Sequence, residues 1–414
     1  MKVLIYSANF APEPTGIGKY SGDMAAWLAE RGHHVRVIAA PPYYPQWKID
    51  RSHDWRPFRR RIWNGVEVWR APLWVPKAPG GIARVLHLLS FAITSFPLML
   101  RQIFWRPDLV LTVAPAFVCA PAGLLTARLC GAKAWLHLQD FEVDLAFGMG
   151  LLKNRFLKRL VLRTERLIMR RFDSVSSISA RMVERLLVKG VDRRRTRYFP
   201  NWVDIAHVKP SLRGETYRTQ LGIALDAVVV LFSGSLGGKQ GLMVIPQIAE
   251  LLRDRTDIVF VICGDGVMKP TLEAAATGMA NVKFLPLQPF SRLGELLSLA
   301  DIHLLPQSAD AADLVLPSKL SGMLASGRPV ISTCRANTEL GAVIEHCGVA
   351  VTPADTAALA REVAALADAP LQRSKLGRSA RAYAESHYER DGVLERRFGP
   401  LEAELLGETE DAVA

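Results

Sequence analysis

The chain reads as an α/β protein of two nucleotide-fold domains facing each other across a cleft, and three observations predict it. The first is one kind of unit that occurs twice, about half a chain apart. Lys2–Ser7 is a short apolar strand leading into Gly16 and Gly18 and a helical pattern through Trp27 and Leu28. Val228–Phe232 is another, leading into Gly234, Gly237, Gly238 and Gly241 and a helix from about Leu242. A buried strand feeding a glycine loop and a helix start presents bare backbone N–H groups that suit a phosphate. The second is length: 414 residues, half of them hydrophobic, exceed one core and suit two domains of roughly 200 residues each. The third is alternation of short, largely β-branched runs with helical patterns, as in sheets covered on both faces.

In order, strands are expected at 2–7, 34–39, 66–70, 109–113 and 134–138, with another near 174–178. Arg31-Gly32-His33 closes the first helix with a glycine cap. The pattern breaks at Phe199–Asp204, and residues 205–225 are polar and irregular. The first domain is therefore set at 1–204 and the second at 205–385. Strands of the second half are expected at 228–232, 258–262, 282–285, 302–305 and 329–332. A last helical pattern over about 371–406 has no strand after it, and residues 386–414 are expected to cross back onto the first domain. No low-complexity tract or solenoid period interrupts this order.

Composition narrows the setting. The five cysteines have no paired spacing, which points to a reducing compartment without a disulfide frame or zinc site. Met1 runs straight into a strand, so no signal peptide is expected. Residues 1–205 carry a net charge of +17 and the remainder −5, within the total of +12. That asymmetry favours an anionic partner: membrane lipid, nucleic acid or a phosphorylated substrate. Two segments of the basic half favour lipid. Residues 85–100 are apolar but too short and Pro-interrupted to read as a span. Residues 153–171 set eight Lys or Arg among Leu, Phe, Val, Ile and Met, as in a helix lying on an anionic bilayer. A core helix followed by a solvated basic helix is the plain alternative. The expected partners thus include an anionic inner-membrane surface, met from the cytoplasmic side, and no nucleic acid.

Several chemistries lack their motifs. No Asp-x-Asp pair stands at a strand end, and no His/Cys/Glu cluster has metal spacing, so no metal is expected. Neither a Gly-x-Ser-x-Gly elbow nor a P-loop occurs. Gly16 and Gly18 are followed by Ser21 where a dinucleotide fingerprint needs glycine. What remains suits phosphate in the second half. Gly264-Asp265-Gly266 follows a strand at the ligand-binding carboxyl edge. Pro317-Ser318-Lys319 reads as a helix start whose N–H groups, with the Lys319 ammonium, suit a diphosphate.

Longer strings carry a resemblance over nearly the whole chain: Pro12–Tyr20, Ala40–Trp47, His137–Asp144 and Leu316–Leu320. They resemble the retaining glycosyltransferases of the GT-B architecture, family 4, and within it the colanic-acid-type exopolysaccharide fucosyltransferases of bacteria. The resemblance implies two Rossmann-like lobes, a nucleotide-sugar donor, GDP-fucose above all, and a lipid-linked oligosaccharide acceptor. It implies retention by front-face attack, with no metal or other cofactor. His137 matches the family histidine beside the reacting sugar carbon; a strand-end histidine that merely caps a turn is the alternative. Asp140, Glu142 and Asp144 are candidates to bind acceptor hydroxyls or help accept the acceptor proton, with Tyr43 and Tyr44 on the acceptor side; plain surface charges are the alternative for the three acids. Gly16 and Gly18 would approach the donor phosphate and acceptor, and Gly264 and Gly266 the donor.

Four positions depart from the family pattern. Ser235 and Gln240 stand where an Arg and a Lys are common, which leaves Lys239 and Lys319, with Ser318, to hold the diphosphate. Asp313 sits where a sugar-contacting glutamate is usual, and Gly322 replaces the ribose-binding one, for which Glu339 is the expected substitute. A UDP-sugar transferase of the same architecture, a nucleotide-sugar epimerase or dehydrogenase, and a non-catalytic binding protein are the other readings. The epimerase reading lacks both a full dinucleotide loop and a Tyr-x-x-x-Lys pair.

Overall fold

The computed structural model describes residues 1–13, 16–44, 46–49, 57–77, 81–115, 117–141, 155–210, 214–307 and 316–406. The chain divides into two compact units, Met1–Pro200 with Leu394–Ala414, and Asn201–Val393. The divisions fall at 200/201 and 393/394, against 204/205 and 385/386 read from the sequence. Pairing explains the shift: Val203 bridges to Glu389 inside the second unit, while Phe199 packs on Phe398 inside the first.

The first unit is built on an eight-stranded sheet. Its strands are β1 (Lys2–Ser7), β2 (His34–Ala39), β3 (Arg60–Trp63), β4 (Val66–Arg70), β5 (Leu109–Ala114), β6 (Lys133–Leu138), β7 (Ser174–Ser177) and β8 (Thr196–Tyr198). They lie in the order β3-β4-β2-β1-β5-β6-β7-β8, all parallel except β3. β3 has no counterpart in the sequence reading, because Arg60-Arg61-Ile62-Trp63 is an exposed edge and lacks an apolar run. It hairpins onto β4 through Asn64 and Gly65, both at positive φ, as a tight two-residue turn demands.

Three helices of this unit matter below: α1 (Gly16–Glu30), α2 (Gly81–Arg101) and α3 (Ala120–Cys130). Apolar residues of β1 and β5 are buried on both faces, which explains their continuous rather than alternating pattern. The helix Arg155–Met169 exposes Lys158, Arg159, Arg163 and Arg166 and buries Glu165 in a 2.5 Å ion pair with Lys189.

The last helical pattern is two helices, Pro370–His387 and Arg390–Leu406. Tyr388 and Glu389 interrupt them where the chain bridges to Val203. From Leu394 the chain packs on the first unit, as the sequence anticipates. Phe398 meets Trp135 at 5.3 Å and Trp27 at 6.1 Å between ring centroids. Glu395 pairs with Arg31 at 2.6 Å, and Glu404 with Lys133 at 2.6 Å.

The second unit has a fully parallel six-stranded sheet in the order β11-β10-β9-β12-β13-β14. The strands are β9 (Val228–Ser233), β10 (Ile258–Cys263), β11 (Val282–Leu285), β12 (Ile302–Leu305), β13 (Val330–Thr333) and β14 (Gly348–Val351). A buried pair, Arg218 to Asp301 at 2.7 Å, braces the amino edge. Asp301 also accepts the Val229 N–H, and Arg218 donates to the Ala224 and Ala227 carbonyls. Those hydrogen bonds satisfy an otherwise costly buried charge. The opposite, carboxyl edge is left free to hold loops.

Candidate functional site

In the first unit, the loops after β1 and β2 converge on Glu13. Its carboxylate accepts from the backbone N–H of Tyr43 and Tyr44 at 3.1 and 3.2 Å and from Asn9 Nδ2 at 3.0 Å. Glu13 is 4% exposed, and burial pushes its pKa up to about 7 against those donors and the nearby Arg70. Arg70 is buried too, donating to the carbonyls of Ala40 and Ala11, and burial lowers its pKa to about 10. Glu13 also explains a glycine. A Cβ on Gly18 would stand 2.4 Å from Glu13 Oε2, so position 18 is small to admit a carboxylate of the protein itself. Gly16 keeps its open character, at φ +63, and a Cβ there would meet the Tyr44 ring only at an ordinary 3.7 Å.

The two tyrosines part company here. Tyr43 is buried, its hydroxyl donating to Asn9 Oδ1 at 3.3 Å, so the structure packs it into the core of the unit. Its ring packs on His87 at 4.8 Å, and His87 lies 5.2 Å from Trp47. His87 is anchored through Nδ1 on the Trp74 carbonyl at 2.6 Å, while its buried Nε2 has no partner among the described residues. Tyr44 is half-buried, and burial with the charges of Asp140 and Glu13 raises its pKa. Asp140, half-buried just past β6, thus lies close enough to Tyr44 for its charge to act on it. Glu142 and Asp144 lie outside the described residues.

His137 sits one layer deeper than its sequence reading expects. It is 3% exposed, with Nδ1 2.9 Å from Ser176 Oγ and Nε2 3.1 Å from the Gln139 amide nitrogen. The amide donates, so Nε2 accepts and the ring proton rests on Nδ1. Burial lowers its pKa to about 3, and Phe199 covers the ring at 4.9 Å. Both ring nitrogens have partners, and Gln139, itself buried, packs beside the ring.

In the second unit, the glycines set backbone against backbone. A Cβ on Gly264 would lie 1.9 Å from the Gly234 carbonyl oxygen, and one on Gly266 2.6 Å from that of Leu236. The Leu236 N–H donates to Asp265 O at 2.8 Å, and the Met268 N–H to Leu236 O at 3.0 Å. Gly264 and Gly266 are therefore required for the loops after β9 and β10 to touch. Gly234, at φ +133, borders the Lys319 ammonium: a Cβ there would be 3.3 Å from Nζ.

Lys319 comes from the loop before the helix Leu320–Ala325. The helix begins at Leu320, so Pro317 and Ser318 precede it and do not form its first turn. The Lys319 side chain folds back over the Phe232 ring at 4.0 Å and donates to Gln240 Oε1 at 3.3 Å. Among the described residues no carboxylate pairs with it, and burial lowers its pKa to about 7. Ser235 is exposed on the same turn. The backbone at Lys239 lies in a short 3₁₀ turn, Gly238–Gln240, and Asp313 lies outside the described residues. Glu339, half-buried, opens the helix Glu339–Cys347 at the end of the next loop, where Thr338 caps the Gly341 N–H at 3.0 Å. The structure thus gathers Gly234, Ser235, Gln240, Gly264, Gly266 and Lys319 at one sheet edge and places Glu339 at the same edge, beyond β13. Among the described residues no group of three His, Cys, Asp or Glu is placed to hold a metal.

Residues 15–202 match the family description "Glycosyl transferase 4-like domain" and residues 227–369 "Glycosyl transferases group 1". The chain is 42% identical over 409 residues to the putative colanic acid biosynthesis glycosyl transferase WcaI of Escherichia coli K12, covering 96% of this chain and 98% of that one. The chain belongs to the GT-B glycosyltransferases of family 4. A more distant relative, the probable glycosyltransferase WbjE of Pseudomonas aeruginosa, is 24% identical over 80% of this chain and 81% of its own. Solved structures agree on the fold. Sucrose-phosphate synthase from Thermosynechococcus elongatus superposes with a TM-score of 0.74 at 16% identity, covering 99% of this chain and 100% of that one. Anabaena HepE in complex with UDP-glucose gives 0.69 at 17%, covering 97% and 100%.

Sequence reasoning did not single out Glu13, Asn9, Arg70 or His87. Glu13 left one trace, an acidic residue between a buried strand and a glycine pair. For His87 the trace was a lone histidine in an apolar run.

Proposed function

We propose that this glycosyltransferase moves a sugar from a nucleoside diphosphate to a lipid-linked oligosaccharide during assembly of a colanic-acid-like exopolysaccharide, the donor being GDP-fucose. The polymer rests on the relative named for colanic acid biosynthesis, 42% identical across almost the full length of both chains. Lys319 is the observation that carries the chemistry. It is a half-buried amine that donates to the neutral Gln240 amide, set beside a glycine turn at the carboxyl edge of a parallel sheet. Among the described residues no carboxylate pairs with it, and an arriving diphosphate brings the negative charge that suits it. As the sugar–phosphate bond breaks, charge grows on that diphosphate, and a desolvated cation held in place stabilises it more than water would. The anomeric configuration is retained, no metal or other cofactor is needed, and Asp140 with Tyr44 receives the acceptor.

The first unit meets the acceptor at the cytoplasmic face of the inner membrane. The net charge of +17 over residues 1–205 and the exposed Lys158, Arg159, Arg163 and Arg166 support that location. Each basic residue near anionic lipid adds about 1 kcal/mol.

A thermal-shift panel of GDP-, UDP- and dTDP-sugars tests the donor, because a bound ligand raises the melting temperature by mass action. GDP-fucose should give the largest shift in the parent and little in Lys319→Ala. A larger shift with a UDP-sugar would replace the donor, and no shift with any would remove the transferase reading of this edge.

A further inference from the structure

We propose that α2 is an in-plane membrane anchor, seated by apolar insertion rather than by charge; this rests on the membrane reading above and gives it a specific surface. The helix has two apolar faces. His87, Leu88, Phe91, Ser95, Leu98 and Met99 turn into the core. Ile82, Val85, Leu86, Leu89, Ile93 and Phe96 are bare, between 37% and 74% exposed. At 100° per residue those six fall within about 80–100° of arc, and they run for about 21 Å along the helix. Such a continuous apolar patch is uncommon on a protein that meets only water.

Its occupant follows from chemistry on the page. No Asp or Glu occurs between Glu67 and Asp108, whereas Lys77, Arg84, Arg101 and Arg106 do, Arg70 being committed to the core. The stripe therefore lies in acid-free, basic sequence, the pairing that suits acyl chains beneath anionic headgroups. α3, which packs beside α2, bares Leu125 and Leu129 as well. Crossing the bilayer is ruled out by the inward face, which is already committed to the core. The helix can lie only along the surface. Its core face carries His87 to Tyr43 and Trp47, so seating α2 in lipid brings the loop of Tyr44 to the surface where a lipid-borne acceptor resides.

The test compares the parent with a fourfold variant, Ile82→Ser, Leu86→Ser, Leu89→Ser and Ile93→Ser, in vesicle co-sedimentation. The vesicles are phosphatidylcholine alone, or phosphatidylcholine with phosphatidylglycerol, at low salt and at 1 M NaCl. Apolar insertion is not screened by salt. The parent should pellet with neutral vesicles and stay bound at high salt, and the variant should bind roughly tenfold more weakly or less. A second readout does not depend on the variant's folding. Ile93→Cys in a Cys130→Ser background carries an environment-sensitive fluorophore, which should shift to the blue on both vesicle types. Parent binding that needs anionic lipid and vanishes in salt, with no blue shift, overturns the anchor but leaves the membrane reading standing. Failure to bind even anionic vesicles at low salt overturns both.

Discussion

The loops after the first strand of each domain share a signature, and burial treats them in opposite ways. After β1, a carboxylate is buried; beside the loop after β9, an ammonium is half-buried. Burial brings Glu13 up to about 7 and Lys319 down to about 7. The difference lies in their partners. Glu13 already accepts three donors from the protein, whereas Lys319 donates to one amide oxygen. A group satisfied internally is a strut. A half-buried amine that meets no carboxylate among the described residues suits an anionic ligand.

The strongest way to break this comparison is at the glycines. Gly264→Ala should cost on the order of 3 kcal/mol or more of stability in denaturant unfolding, since its new Cβ meets a backbone carbonyl that no side-chain change can move. Gly18→Ala should also destabilise, but its Cβ meets only the Glu13 side chain. The double variant with Glu13→Gly should therefore lose clearly less than the sum of the single losses. Strict additivity would mean that Glu13 does not occupy the space beside Gly18.

Acidity comes next. A raised carboxyl pKa means the folded state keeps a proton that the unfolded state releases between about 4.5 and 7. Glu13 should thus make stability fall by about 3 kcal/mol as pH rises through that window, then stay level. Urea unfolding of Glu13→Gln across the same range should show that slope flattened.

Lys319→Met should weaken nucleoside diphosphate binding by about 1.5–3 kcal/mol, measured by titration calorimetry. The unliganded variant should melt no lower than the parent, because an apolar side chain replaces a charge that is costly to bury. Parent affinity should also fall between pH 7 and 9, by at most about tenfold per unit, because the bound form needs an ammonium that the free protein has begun to lose. A variant with parental affinity would return the diphosphate to Lys239 or to backbone alone.

His137→Ala is the mildest case. Losing a buried hydrogen-bonded ring should cost about 1–3 kcal/mol of stability, with a smaller loss of turnover in the folded fraction. A turnover loss of more than about a hundredfold at unchanged melting would restore it to the reacting centre.

What could be read from the sequence follows from how local each feature is. Buried parallel strands announce themselves as apolar runs, so β1, β2, β5, β9 and β10 were legible. β3, β8 and β14 are short or exposed edges without such runs. The positions of Gly18, Gly264 and Gly266 were legible as turns, but their reasons were not, since each depends on an atom from another segment. The same applies to Tyr43 and His137, whose burial is set by Asn9, His87, Ser176 and Phe199. Lys319 was legible because a lone lysine at a loop end needs no distant partner to be noticed.

The return of the chain to its first domain fixes an order of events during synthesis. Trp27, Trp135 and Phe199 are finished by Phe398, which the ribosome adds only after the whole of Asn201–Val393. At about 5–20 residues per second, Phe199 waits on the order of 10–40 s for that ring. The second domain can fold as soon as it emerges, while the first, although made earlier, is completed last. Throughout that interval the nascent chain shows an open aromatic face, which a chaperone at the tunnel exit would be the first to meet.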